Sequence, residues 1–135
     1  MSVTTMRTGI ATNLSTIAGL RTAATIPDDP HPPIAIVKPN TITYDLAFAR
    51  TGGDEYEFSV VLIVGRVDER TAQNKLDGYC APSGATSVKQ AIESDKSLGG
   101  NAYDLRVREM RNYQQVLVGD VTYLSAEFVV QVFAQ

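Results

Sequence analysis

The chain has 135 residues, 44% hydrophobic and 20% charged, which fits one globular domain able to bury a core without disulfides or metal staples. A net charge of −3 and a pI near 5.0 exclude an overall basic field that would attract nucleic acid or anionic lipid, leaving only a local basic patch open. The single cysteine, Cys80, excludes an internal disulfide and a cysteine-based zinc cluster, and no apolar run approaches the ~20 residues of a bilayer-spanning helix. The first residues lack the basic-then-apolar pattern of a signal peptide, so the expectation is a protein made and kept in the cytoplasm, or built into a particle there.

From Val3 to Ile17, apolar Val3, Met6, Ile10, Leu14 and Ile17 recur at steps of three or four, which predicts an amphipathic helix capped by Ser2 and stopped at Gly19. Its many threonines favour helix weakly, so it depends on docking. A short strand is expected within Leu20 to Ile26. Pro27 to Pro33 then holds four prolines and reads as a stiff extended segment, either a docking loop or a crossover between strands.

Ile34 to Val37 predicts a compact strand ended by Pro39-Asn40, and Thr41 to Ala49 a second, with Ile42, Tyr44, Leu46 and Phe48 on one face. Arg50 to Asp54 is a turn leading into Glu55 to Val64, an antiparallel hairpin partner and the central strand of the fold. In it Tyr56, Phe58, Val60, Leu62 and Val64 share one face. The other face passes from polar (Glu55, Glu57, Ser59) to apolar (Val61, Ile63), so its far half calls for a further cover, a helix or a neighbouring subunit.

Asp68 is the expected N-cap of a helix over Glu69 to Tyr79, and Ser87 with Gln90 has the spacing of a capping box that opens a second, with Val88, Ala91 and Ile92 inward. After the break at Gly99-Gly100, Tyr103, Leu105 and Val107 alternate with Asp104, Arg106 and Arg108. Gly119-Asp120 is a two-residue hairpin turn between Val116 to Val118 and Val121 to Tyr123. Leu124, Ala126, Phe128, Val130, Val132 and Ala134 line one face of the last strand, too apolar to stand as an open edge; it is central or paired across a subunit boundary. The sum is an α+β fold over residues 1–135: one domain, an antiparallel or mixed sheet with an N-terminal helix and two further helices on one face.

No constellation announces a reaction. His31 beside Asp28 and Asp29 is one histidine in a proline loop, which reads as solvated rather than as a metal site. Cys80 has no second histidine to activate it and reads as a buried thiol. Gly52-Gly53 and Gly99-Gly100 lack the spacing of phosphate-binding loops. Arg106, Arg108 and Arg111 form a solvated strand face, an ionic subunit contact or a phosphate contact; Asp104 and Glu109 interrupt the patch, and no aromatic interleaving supports stacking on bases.

The layout, with Val3 to Ile17 leading through Ala23-Ala24-Thr25-Ile26-Pro27 to Pro33-Ile34-Ala35-Ile36-Val37-Lys38-Pro39, then Tyr56 to Val67 entering Asp68 to Gln73, and Val121 to Phe133 closing the chain, resembles the small tail terminator proteins of long-tailed bacteriophages. The resemblance covers most of the chain and implies a non-enzymatic virion protein, without cofactor or metal. Such a protein forms a ring, commonly a hexamer, on the head-proximal end of the tail tube. It ends tube polymerisation and offers the surface to which the head joins. Implied partners are further copies of itself, the major tail tube protein and the head–tail connector or neck proteins, with genomic DNA passing through the ring unrecognised and no membrane involved. The family supplies no motif by which residues carry over. The expected interface residues rest on charge beside an exposed sheet: Arg50, Asp54 and Glu55 at the hairpin tip, and Arg106, Arg108 and Arg111 on the later strand. The alternatives are another neck component, such as a head completion or head–tail adaptor protein, and from other classes a small-ligand-binding or enzymatic α+β domain or a nucleic-acid accessory protein.

Overall fold

The structure, a computed structural model, describes residues 3–17, 20–23, 33–44, 53–66, 70–100, 102–118 and 121–134. In chain order the elements are α1 (Val3–Leu14), β1 (Arg21–Ala23), β2 (Ile34–Thr43), β3 (Asp54–Arg66), α2 (Arg70–Tyr79), α3 (Val88–Ile92), β4 (Asp104–Val118) and β5 (Val121–Ala134). The strands form one five-stranded sheet in the order β1-β2-β3-β5-β4. Among the described strands only β1 and β2 run parallel, so the fold is α+β with a mixed sheet.

The alternating apolar faces decide the packing. Phe58, Val60, Leu62 and Val64 of β3 and Leu124, Ala126, Phe128, Val130, Val132 and Ala134 of β5 point to one side, as the period-two pattern requires, and all are buried. Onto that side dock Met6, Ile10 and Leu14 of α1, Leu76 and Tyr79 of α2, and Val88, Ala91 and Ile92 of α3, in a single core. Each large side chain so buried stabilises the fold by about 1.5–3 kcal/mol relative to exposure. β5 lies between β3 and β4, so the apolar last strand is interior to the sheet. Its hairpin with β4 closes with Val118 opposite Val121.

Several expectations are corrected. Helix α1 ends at Leu14 instead of Ile17, because Ser15 and Thr16 turn their hydroxyls back onto the carbonyls of Thr12 (2.6 Å) and Asn13 (2.8 Å) and tighten the chain into a turn. Ile17 is nevertheless buried. Pro39-Asn40 does not end a strand: β2 runs through it with one extra residue between Pro39 and Thr41. β1 covers only Ile34 to Ile36, so no described strand needs the hydrogen bond that Pro39 lacks. Tyr44 is exposed, beyond the end of β2, and Tyr103 is exposed just before β4. β4 is one strand of 15 residues in which two bulges, at Arg108 and near Asn112, absorb the breaks in alternation. Ser87 caps α3, accepting from the Gln90 N–H at 3.1 Å, but the Gln90 side chain accepts from Gly84 N–H instead of closing the box on Ser87. Ser2, Gly19, Pro27 to Pro32, Leu46, Phe48, Arg50 and Asp68-Glu69 lie outside the described residues.

Candidate functional site

The sheet face turned away from the helices carries the densest polar chemistry of the described chain. β3 pairs with β5, and β5 with β4, in a register that sets Glu57, Gln131 and Arg106 in one row. Val61, Glu127 and Arg111 form another. Cross-strand neighbours in such rows are within reach of each other's side chains.

Glu127 is the hub of the second row. Its Oε1 accepts from Ser59 Oγ at 2.6 Å and from Arg111 Nη2 at 3.1 Å, and its Oε2 from Asn112 Nδ2 at 2.9 Å. Asn112 reaches it because the β4 bulge puts this residue at φ 56, a left-handed conformation that asparagine tolerates better than most. Burial pushes the Glu127 carboxyl up, but the hydrogen bonds from Ser59, Asn112 and Arg111 and the charge of Arg111 outweigh it and hold the group below the usual carboxylate range. Arg111 is raised in turn by its hydrogen bond to Glu127.

Glu57 centres the neighbouring cluster, accepting from Thr41 Oγ1 at 2.9 Å and Asn40 Nδ2 at 3.2 Å, with Arg108 Nη2 at 3.6 Å from its Oε1. Arg108 also pairs with Glu109 at 3.2 Å. Gln131 bridges the last pair: its Oε1 accepts from Arg106 Nε at 2.7 Å while its Nε2 donates to Glu55 Oε1. Val129, set among Ser59, Glu109, Glu127 and Gln131 on this polar face, is fully buried. Side chains tied to one another leave little room for water beneath their stems.

Of the six interface residues expected from the sequence, Glu55, Arg106, Arg108 and Arg111 therefore meet on one face, and Arg50 lies outside the described residues. Asp54 belongs elsewhere: opposite Ala134 it shares the phase of Tyr56, whose hydroxyl is raised first by burial and then by the Asp54 and Tyr44 charges. Glu57, Ser59, Glu127, Gln131 and Asn112 were not singled out. Their signal was the polar alternation of the two strands, which becomes a network only when β3 and β5, distant in sequence, are adjacent.

At one end the same face turns apolar, with Ile34, Ile36 and Ile63 buried beside Ala23, Val61 and Tyr123. On the helix side a cleft of about 360 Å³ runs between the Thr4–Thr8–Thr12 ridge of α1 and the turn around Asp95 and Gly99. Cys80 is half-buried, and burial followed by the Asp77 charge pushes its thiol up, away from a reactive thiolate. Among the described residues no group of three or more His, Cys, Asp and Glu side chains is placed to hold a metal ion. No helix among them is long and apolar enough to cross a membrane. The carboxylates of the open face accept hydrogen bonds from neighbouring side chains, and its arginines pair with acids and an amide. Among the described residues of this face, Glu55, Glu57, Glu109 and Glu127 each have a hydrogen-bond or ionic partner.

The geometry defines an α+β domain with a cross-linked polar sheet face. The chain matches no protein-family model and no curated protein sequence.

Proposed function

We propose that this protein is a non-enzymatic structural component of a long-tailed phage particle, a tail terminator. It forms a ring on the head-proximal end of the tail tube, ends tube growth and provides the seat for the head. The observation that carries the reading is the open sheet face, whose Glu55, Glu57, Glu109 and Glu127 engage Gln131, Arg108 and Arg111 rather than facing an empty site. A stiff, nearly charge-balanced plate beside long exposed strands suits repeated subunit contact better than turnover. The sheet with three helices on one side agrees with the layout that the resemblance implies. In this reading the partners are other copies in the ring, the tube subunit and the neck proteins, and DNA passes without base recognition. A closed ring uses a head-to-tail contact between two different patches, for which the arginine-bearing part of β4 and the β2–β3 hairpin end are the candidates.

The test is light scattering on the size-separated protein over a concentration series, with and without tail tubes built from the cognate tube subunit. A ring-sized particle, either alone or appearing only on tube ends, supports the reading. A monomer at every concentration that ignores tubes overturns it and moves the protein to the adaptor or ligand-binding classes.

A further inference from the structure

The outer edges of the sheet, with one exception among the described residues, carry devices that discourage pairing with another strand. β1 is only three residues long. β2 beyond β1 bears Lys38, Pro39 and the bulge at Asn40. The first part of β4 is closed by carboxylates: Asp104 Oδ1 accepts the Leu105 N–H at 2.9 Å, and Glu93 Oε2, at the end of α3, accepts the Val107 N–H at 2.9 Å. The bulges at Arg108 and Asn112 then bend the strand. Short length, lysine, proline, capped amides and bulges are the recurrent means by which sheets blunt an edge.

Tyr113 still falls within the second bulge, its hydroxyl donating to Asp77 Oδ1 at 3.1 Å; the exception is Gln114-Gln115-Val116-Leu117-Val118, where the ladder resumes. This stretch ends the edge strand without a charge, a proline or a glycine, and its described backbone bonds are those of the ladder with β5. Leu117 stands 68% exposed at its end. High β-propensity, zero charge and no breaker is the composition of segments that pair with copies of themselves.

We propose that Gln114 to Val118 is a self-recognition edge that pairs antiparallel with the same segment of a second copy of this chain. The occupant follows from charge and from elimination. A neutral segment does not repel its own copy, and every other described edge that a second copy offers is blunted. Like pairing with like gives a two-fold contact. Gln115 and Leu117 lie opposite Leu124 and Thr122 of β5 and share the helix side. An antiparallel register centred on Val116 keeps the helix sides of both copies together, sets Leu117 of each copy beside Gln115 of the other, and joins the two sheets into one. The contact does not rest on the ring reading. A ring contact is head-to-tail and this one is two-fold; where both form, the edge joins two rings back to back.

The test compares the wild-type protein with Leu117→Lys and Gln115→Lys, two substitutions at exposed edge positions, each checked for native circular dichroism. The expected result is a wild-type particle of twice the mass of either variant at high concentration. Amide exchange in residues 114–118 should slow with rising concentration in the wild type and not in the variants. Equal masses for wild type and variants overturn the proposal, and so does a mass difference accompanied by protection gained in another segment. The ring is judged separately, by whether particles of either mass cap tube ends.

Discussion

Glu93, at the C-terminal end of α3, closes the edge of the sheet at Val107: its Oε2 accepts the Val107 backbone N–H at 2.9 Å, and Lys89 Nζ lies 2.6 Å from its Oε1. One side chain thus ties a five-residue helix to the edge strand and occupies an amide that would otherwise face water or another chain. Glu93→Ala is expected to cost about 1–3 kcal/mol, the range for removing a charged partner from a part-buried donor. The shift in urea midpoint measures it, and a loss of amide protection at Val107 in hydrogen exchange locates it.

The pH dependence follows from the same group and from Glu127. Burial opposes ionisation of Glu93, but the hydrogen bonds from Lys89 and Val107 and the charges of Lys89 and Lys96 lower its carboxyl overall, and Glu127 is lowered as described above. Folded values below the unfolded value, about 4.3 for Glu, mean that this stability is fully present above that pH and is lost as pH falls through the folded values. The urea midpoint is therefore expected to hold between neutral pH and about pH 5 and to drop below about 4.3. In Glu93→Gln with Glu127→Gln the drop is expected to be shallower.

The network around Glu127 predicts an asymmetry between its partners. Ser59 is buried and would lose its acceptor in Glu127→Ala, at a cost of about 1–3 kcal/mol, whereas the exposed Arg111 would simply be hydrated. A double-mutant cycle between Arg111 and Glu127 is expected to give a coupling of no more than about 1 kcal/mol, and one between Ser59 and Glu127 a larger one. Equal couplings would contradict the hub geometry.

Asn13 joins the first helix to the far end of the helical layer. Buried at 8% exposure, its Nδ2 donates to the carbonyls of Ile92 at 2.9 Å and Asp95 at 3.2 Å. Asn13→Leu removes both donors and is expected to lower stability by about 1–3 kcal/mol in chemical denaturation, more than Thr12→Leu on the exposed side of the same helix.

Cys80 provides a chemical readout of packing. With its thiol pushed up by burial and by Asp77, the native protein is expected to react with a thiol-specific reagent at neutral pH much more slowly than the urea-unfolded chain. Equal rates in the two states would contradict the packing of α2 at its C-terminal end.

Periodicity made the elements legible. The stripe of Met6, Ile10 and Leu14, the two alternating strands and the Ser87 cap are all local patterns, and each lies in the structure where those patterns predict. What stayed hidden depends on adjacency. Glu57 and Gln131 belong to strands separated by two helices and β4, so their row exists only once β5 inserts between β3 and β4. The same holds for Pro39, a strand breaker by its local chemistry that is tolerated because β1 stops short of it. Part of the candidate interface is legible as charge: Arg106, Arg108 and Arg111 stand as a set along one stretch of sequence, but their acidic partners do not, because cross-strand register is invisible from one strand.

The most direct measurement of the central claim is the length distribution of tail tubes grown from the cognate tube subunit, imaged by electron microscopy with the protein present from the start or added later. Tubes that stop growing and carry one added ring-shaped density at a single end are the predicted result. Tubes that lengthen unchanged, with both ends bare, would contradict the account.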